Sequence, residues 1–218
     1  MERHVLVVYP HPDDETFASG GTIALHTRAG TPVTYLCGTL GQMGRNMGKP
    51  FFANRETLPA VREKELRAAC EALGIRDLRL MGLRDKTVEF EDQEELADRI
   101  LAVMREIRPS LVITYYPGFA VHPDHNALGA ATVRAVEKLP PEERPVVHCS
   151  AFARDTREKL GDPDVIIDIS SVRDVKLAAI RAHRSQSEAM MARMERDPAY
   201  RAQREATLRQ EVYWTYRV

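Results

Sequence analysis

A short β-branched run, His4 to Tyr9, stops at Pro10 and gives way to a helix-length stretch from about Glu15 to Ala29 that ends at Gly30. The same unit then recurs. Val33–Cys37 precedes Glu56–Leu73, which Gly74 closes; Leu78–Met81 precedes Gln93–Ile107; Leu111–Tyr115 precedes Asp124–Lys138; Val146–Cys149 follows. Strands that alternate with helices of this length predict a parallel sheet, because parallel neighbours need a crossover and the crossover helices cover both faces. The expected fold class is therefore α/β, a Rossmann-like three-layer sandwich with a mostly parallel sheet. Val165–Ile169 and Val212–Tyr216 read as further strands, with helical stretches at Val172–His183 and about Ser187–Gln210 between them. No fixed-period repeat, low-complexity tract or Ser/Gly linker interrupts the pattern, so the 218 residues are expected to form a single domain, 1–218.

Charge narrows the function. The chain carries 31 Lys+Arg against 32 Asp+Glu, a formal net charge of -1, and so no whole-protein field to draw nucleic acid or an anionic membrane. The Arg-rich segment from Arg173 to Arg217 is interleaved with Asp and Glu and reads as a solvated face. Cys37, Cys70 and Cys149 are odd in number and form no C-x-x-C pair, which argues against a disulfide framework or a cysteine zinc knuckle. The N-terminus lacks the order of a secretory signal, and no apolar run approaches the roughly 20 residues that span a bilayer. A soluble cytoplasmic protein with a small-molecule partner, no nucleic acid and no membrane is expected.

The chemistry sits at two strand ends. His11-Pro12-Asp13-Asp14-Glu15 follows the first strand and His122-Pro123-Asp124-His125 follows the fourth. In a doubly wound sheet of order 3-2-1-4-5, those strands are neighbours across the switch point, where ligands bind at the carboxyl ends. His and Asp are the nitrogen and oxygen donors that a catalytic Zn²⁺ takes, three at a time, with water in the fourth position. Three donors would leave a carboxylate and an imidazole for proton transfer and charge stabilisation. Fe²⁺ or another divalent ion suits the same donors. A single His-Pro-Asp is an ordinary turn; two of them converging on one crevice point to a site.

Other signals weigh less. Gly38, Gly41 and Gly44 follow the second strand, not the first, and do not open a helix, so the segment 38–50 is read as a lid or sugar-contacting loop and not as a nucleotide fingerprint. His183 is read as a hydrogen-bonded histidine behind the site, and His4, His26 and His148 as surface or core residues.

At these motifs the chain resembles the PIG-L/LmbE family of N-acetylglucosaminyl deacetylases, which carries H-P-D-D-E after its first strand and H-P-D-H after a later one. Arg62-x-x-Glu65 with Ala68-Ala69 and Leu73-Gly74, and Lys176 with His183-x-Ser185-Gln186, extend the likeness over nearly the whole chain. The opening fifteen residues and the segments TLGQMGRNMG and GLRDKTVEFED look like the branch that deacetylates N-acetylglucosaminyl malate in bacillithiol biosynthesis. The resemblance implies metal ligands at His11, Asp14 and His125, a general base at Asp13, an oxyanion-stabilising His122, a substrate-binding Arg62 and a homo-oligomer. Family members often carry Gly or Arg before H-P-D-H and some a Tyr before that; here stand Val121 and Ala120. Carboxylate recognition must then come from elsewhere, Arg45 or Lys49 being candidates, and a tyrosine from Tyr116, Tyr213 or Tyr216. The rivals are deacetylation of another N-acyl amino sugar or thiol conjugate, a nucleotide-binding α/β enzyme, and a non-catalytic metal-binding module.

Overall fold

The computed structural model of the chain describes residues 2–218. Its strands are β1 (Val5–Tyr9), β2 (Val33–Thr39), β3 (Asp77–Leu83), β4 (Leu111–Tyr115), β5 (Val146–Ser150), β6 (Val165–Asp168) and β7 (Gln210–Tyr216). The helices are α1 (Asp14–Arg28), α2 (Leu58–Leu73), α3 (Gln93–Ile107), α4 (Pro123–Glu137), α5 (Thr156–Leu160), α6 (Arg173–Ala182), α7 (Arg184–Arg196) and α8 (Pro198–Glu205). One sheet runs β3-β2-β1-β4-β5-β7-β6. β1 to β5 pair in parallel, and β7 runs antiparallel to both β5 and β6. The chain thus forms the expected three-layer α/β sandwich with a mostly parallel sheet.

The layers follow from alternation along the central strands. Val5, Val7 and Tyr9 pack with Ile23 of α1, Leu66 of α2 and Ala179 of α6. Leu6 and Val8 point the other way, into Leu96 and Ile100 of α3 and Leu128 of α4. β1 and β4 are buried throughout, whereas the edge strand β6 is only partly covered. This is the usual contrast between strands covered on two faces and strands at an edge. Among the described residues, no helix is long and apolar enough to cross a membrane.

Two expectations are corrected near the C-terminus. The single helix expected over Ser187–Gln210 is two, α7 and α8. Pro198 has no N–H to continue the ladder and holds Asp197 in an extended conformation (φ -121, ψ 96), from which the Asp197 carboxylate caps the Tyr200 amide at 2.9 Å. β7 also starts earlier than Val212, at Gln210, and takes in buried Glu211. That carboxylate accepts bonds from the Gly21 and Thr22 amides and from Lys176 Nζ, which joins β7 to α1 and α6.

Candidate metal centre

Pro10 follows the end of β1 and the next three residues turn into α1, while His122 caps the start of α4. β1 and β4 are adjacent, so both motifs open at the carboxyl edge of the sheet. Gly129 lets α4 settle onto the end of β4, since a Cβ there would lie 2.4 Å from the Tyr115 carbonyl oxygen. His11 Nδ1 then stands 3.2 Å from His125 Nε2 and 3.4 Å from Asp14 Oδ2, and His125 Nε2 stands 3.4 Å from Asp14 Oδ1. Donors on a tetrahedral zinc at its usual bond lengths are about 3.3 Å apart. The two ring nitrogens and the Asp14 carboxylate fit a cation both in chemistry and in spacing.

Each of these three side chains is oriented from behind. His11 Nε2 lies 3.1 Å from Asp124 Oδ2 and 3.2 Å from Asp85 Oδ1, so the ring proton belongs on Nε2 and leaves Nδ1 free to coordinate. His125 Nδ1 faces the Ala120 carbonyl at 3.2 Å, which frees Nε2 in the same way. Asp14 accepts from the His11 amide and from the Tyr115 hydroxyl, both at 2.9 Å, and the Tyr115 ring stacks on His125. Burial acts to lower the His11 pKa, but the bonds to Asp124, Asp14 and Asp85 outweigh it and hold the imidazole well above its ordinary value. Burial likewise works against ionised Asp14, and the facing His125 and His11 overcome it and hold the carboxyl well below the usual range. A second proton on His11 and a cation among these donors would exclude one another.

Asp13 and His122 flank this triad without belonging to it. Asp13 takes φ 113, a conformation costly for a residue with a side chain, and several bonds hold it there. Its amide donates to Glu15 Oε2 at 3.0 Å, while Arg62 Nη2 donates to the Pro12 carbonyl and, at 3.0 Å, to Asp13 Oδ2. Arg62 is buried, and Nη1 goes to the Gly41 carbonyl at 3.1 Å. Only glycine fits at position 41, where φ is 61 and a Cβ would stand 1.8 Å from Arg62 Nη1. Arg62, for which the resemblance implies substrate binding, is bonded here to Asp13 and to two backbone carbonyls. Burial pushes the Asp13 carboxyl up to about 6, against the pull of Arg62. His122 is the N-cap of α4: its Nδ1 accepts the Asp124 amide at 3.1 Å, which leaves the proton on Nε2. Burial and the charge on His11 lower its pKa below the ordinary imidazole value.

The late Lys176…His183-x-Ser185-Gln186 pattern proves to be a set of clasps. Lys176 pairs with Glu211 at 2.5 Å, His183 Nε2 with Glu15 Oε1 at 2.6 Å, and Ser185 donates from its amide and hydroxyl to Glu65. Gln186 Nε2 donates to the Asn46 carbonyl in the Gly-rich loop. His183 therefore lies behind the site, bonded to the carboxylate that fixes Asp13. Arg45 and Lys49 are exposed and line a groove of about 480 Å³ with Met47, Phe51 and Gln186; no residue of the His–Asp cluster lines it. Of the candidate tyrosines, Tyr213 is fully buried on Thr22, and Tyr116 packs against Tyr216. The tyrosine at the metal centre is Tyr115, which reads in the sequence as the last apolar residue of a strand.

Fold and site together define an α/β protein with a His–Asp cluster able to hold a cation at the switch point of its sheet. Residues 6–136 match the PIG-L family, described as GlcNAc-PI de-N-acetylase, and the chain belongs to that family. It is 57% identical over 224 residues to the probable N-acetyl-alpha-D-glucosaminyl L-malate deacetylase 2 of Bacillus cereus, covering 100% of this chain and 99% of that protein. Among solved structures, N,N'-diacetylchitobiose deacetylase from Pyrococcus horikoshii has a TM-score of 0.75 at 24% identity, over 99% of this chain and 84% of that one. GalB, the 4-carboxy-2-hydroxymuconate hydratase from Pseudomonas putida KT2440, has the same TM-score at 22% identity, over 99% and 98%. Neighbours equally similar in structure are named for deacetylation and for hydration, so the architecture alone does not choose the reaction.

Proposed function

We propose that the chain hydrolyses the N-acetyl group of an N-acetylglucosaminyl conjugate, N-acetylglucosaminyl malate in bacillithiol biosynthesis, to give acetate and the free amine. The observation that carries this reading is the convergence of His11 Nδ1, Asp14 and His125 Nε2 beside an Asp13 that is not among the three. The malate conjugate is taken from the name of the Bacillus cereus relative, with which the chain shares its full length.

Zn²⁺ held by His11, Asp14 and His125, with Fe²⁺ suited to the same donors, would polarise the acetyl carbonyl and make water acidic enough to ionise near neutral pH. Asp13 accepts the proton of the attacking water, a task suited to a carboxylate whose pKa lies at about 6. His122 donates its Nε2 proton in a hydrogen bond to the carbonyl oxygen as negative charge builds there, and does so as a neutral imidazole. Asp13 then returns its proton to the sugar nitrogen, which leaves as the amine. Arg62 keeps Asp13 aimed throughout. Arg45 and Lys49, on the groove beside α7, meet the malate carboxylates.

The test is acetate release by metal-replete protein from N-acetylglucosaminyl malate, plain N-acetylglucosamine and N,N'-diacetylchitobiose. The malate conjugate is expected to exceed both in kcat/KM by about tenfold or more, the worth of about 1.4 kcal/mol of added transition-state binding. Equal rates on all three would remove the malate assignment, and no acetate from any would remove the reaction.

A further inference from the structure

Asp85 lies just past the end of β3, outside both His-Pro-Asp motifs, and is buried. Its Oδ1 meets His11 Nε2 at 3.2 Å, while its Oδ2 accepts the Met43 amide at 2.7 Å. The Asp85 amide donates to Gln42 Oε1 at 3.1 Å, so side chain and backbone both grip the Gly-rich loop. Arg55 secures the same turn from the other side through the Gln42 and Gly44 carbonyls. Asp124, the other carboxylate at His11 Nε2, has a different anchor: it accepts the Lys86 and Val88 amides at 2.7 and 3.2 Å. One carboxylate behind the ligand thus belongs to a fixed turn and the other to the loop.

His11, Asp85, His122 and Asp124 also lie close enough together to suggest a second cation centre. Their nitrogens are already committed, however. With Nδ1 of His11 turned to the triad, Nε2 must keep its proton to bond either carboxylate, and His122 Nδ1 takes the Asp124 amide. A carboxylate that accepts from a ligating histidine orients that ligand.

We propose that Asp85 is a positioning residue that holds His11 with Nδ1 toward the metal and joins it, through the Met43 amide, to the loop of residues 40–57, so that cation affinity and loop order rise and fall together. This rests on the metal-centre reading above. Linkage makes the coupling reciprocal: whatever orders the loop against Asp85 must tighten the cation, and the cation must order the loop by the same factor.

The experiment is Zn²⁺ affinity by chelator competition for wild type, Asp85→Asn, Gln42→Ala and Asp13→Asn, with limited proteolysis of the loop in the presence and absence of Zn²⁺. Asp85→Asn sets an amide group against either His11 or Met43 and should weaken Zn²⁺ by about 10–100-fold. Gln42→Ala touches no ligand and should weaken it by less, roughly 2–30-fold, the range for residues acting through a packed neighbour. Asp13→Asn should bind as wild type does. Zn²⁺ should slow cleavage of the loop in wild type and much less in Asp85→Asn, which at saturating Zn²⁺ should raise KM more than it lowers kcat. Wild-type affinity within twofold in both Asp85→Asn and Gln42→Ala would overturn the proposal. Should Asp85→Asn fail to fold, unchanged affinity in Gln42→Ala overturns it alone. A wild type that binds no Zn²⁺ would instead remove the metal centre itself, and this inference with it.

Discussion

His11-Pro12-Asp13 and His122-Pro123-Asp124 are the same tripeptide at the ends of neighbouring strands, yet their side chains have exchanged tasks. In the first, the histidine is buried among carboxylates and the aspartate faces the cleft. In the second, the histidine faces the cleft and the aspartate is fully buried, bonded to two amides and to His11. What differs is where the helix begins. α1 starts after the triplet, with Asp13 as its N-cap and Asp14 as its first residue; α4 starts inside it, with His122 as N-cap and Asp124 within the first turn. Moving the helix start by two residues turns the same three side chains to different surroundings. Each motif also sends a further side chain to the cluster from beyond the shared triplet, Asp14 in one and His125 in the other.

The sharpest test of that exchange is alanine at each histidine. His11→Ala should abolish stoichiometric zinc binding, and acetate release with it. His122→Ala should keep zinc at wild-type stoichiometry and lose about 10²–10³ in kcat, the cost of one oxyanion donor. Metal analysis beside turnover would expose an error, since zinc loss in His122→Ala would make the two histidines equivalent. The pH profile is the next discriminator. kcat/KM should rise with pH along an acidic limb as Asp13 ionises, by up to tenfold per unit, and then level. His122→Ala should keep that limb and Asp13→Asn should lose it.

Stability gives a smaller effect of defined sign. Asp13 binds its proton more tightly folded than unfolded, so its contribution is fully present below the unfolded pKa of about 3.9 and is lost as pH rises through about 6. Metal-free Asp13→Asn should therefore gain on metal-free wild type between pH 4 and 7, by roughly 1–3 kcal/mol in urea titrations. A gap that narrows with rising pH would contradict the assignment. Smallest of all, Val121 is a β-branched residue at φ 61 just before the second motif, and it is exposed. Val121→Gly should relieve that strain for a net gain of up to about 1 kcal/mol after the entropy cost of glycine, measured the same way.

Much of this was legible in the sequence. β1 and β4 are continuous apolar runs because both their faces are covered, and that pattern fixed the parallel sheet and brought the two motifs to one crevice. Residue type and strand position gathered five His and Asp side chains at one crevice, the resemblance singled out His11, Asp14 and His125 among them, and the structure brings those three together. What stayed hidden depends on contacts far apart in the chain. Asp85 reaches His11 only because β3 and β1 flank β2, and nothing local marks it. Tyr115 completes an apolar strand pattern, yet its hydroxyl ends on Asp14. Arg62 is bound chiefly by the Pro12 and Gly41 carbonyls, partners that any sequence possesses. Pro198 was in plain view as a helix break, and the charged pattern around it ran on without a change of period.

The exchange of roles is tested most directly by Asp13→Asn and Asp124→Asn side by side, with zinc affinity and acetate release at saturating zinc measured on the same samples. The account predicts that Asp13→Asn binds zinc as wild type does and loses about 10²–10⁴ in kcat, the usual worth of a positioned general base. It predicts that Asp124→Asn binds zinc about 10–100-fold more weakly, because an orienting partner of His11 is lost, and recovers most of its turnover once zinc is saturating. Weak zinc binding in Asp13→Asn together with wild-type binding in Asp124→Asn would contradict it.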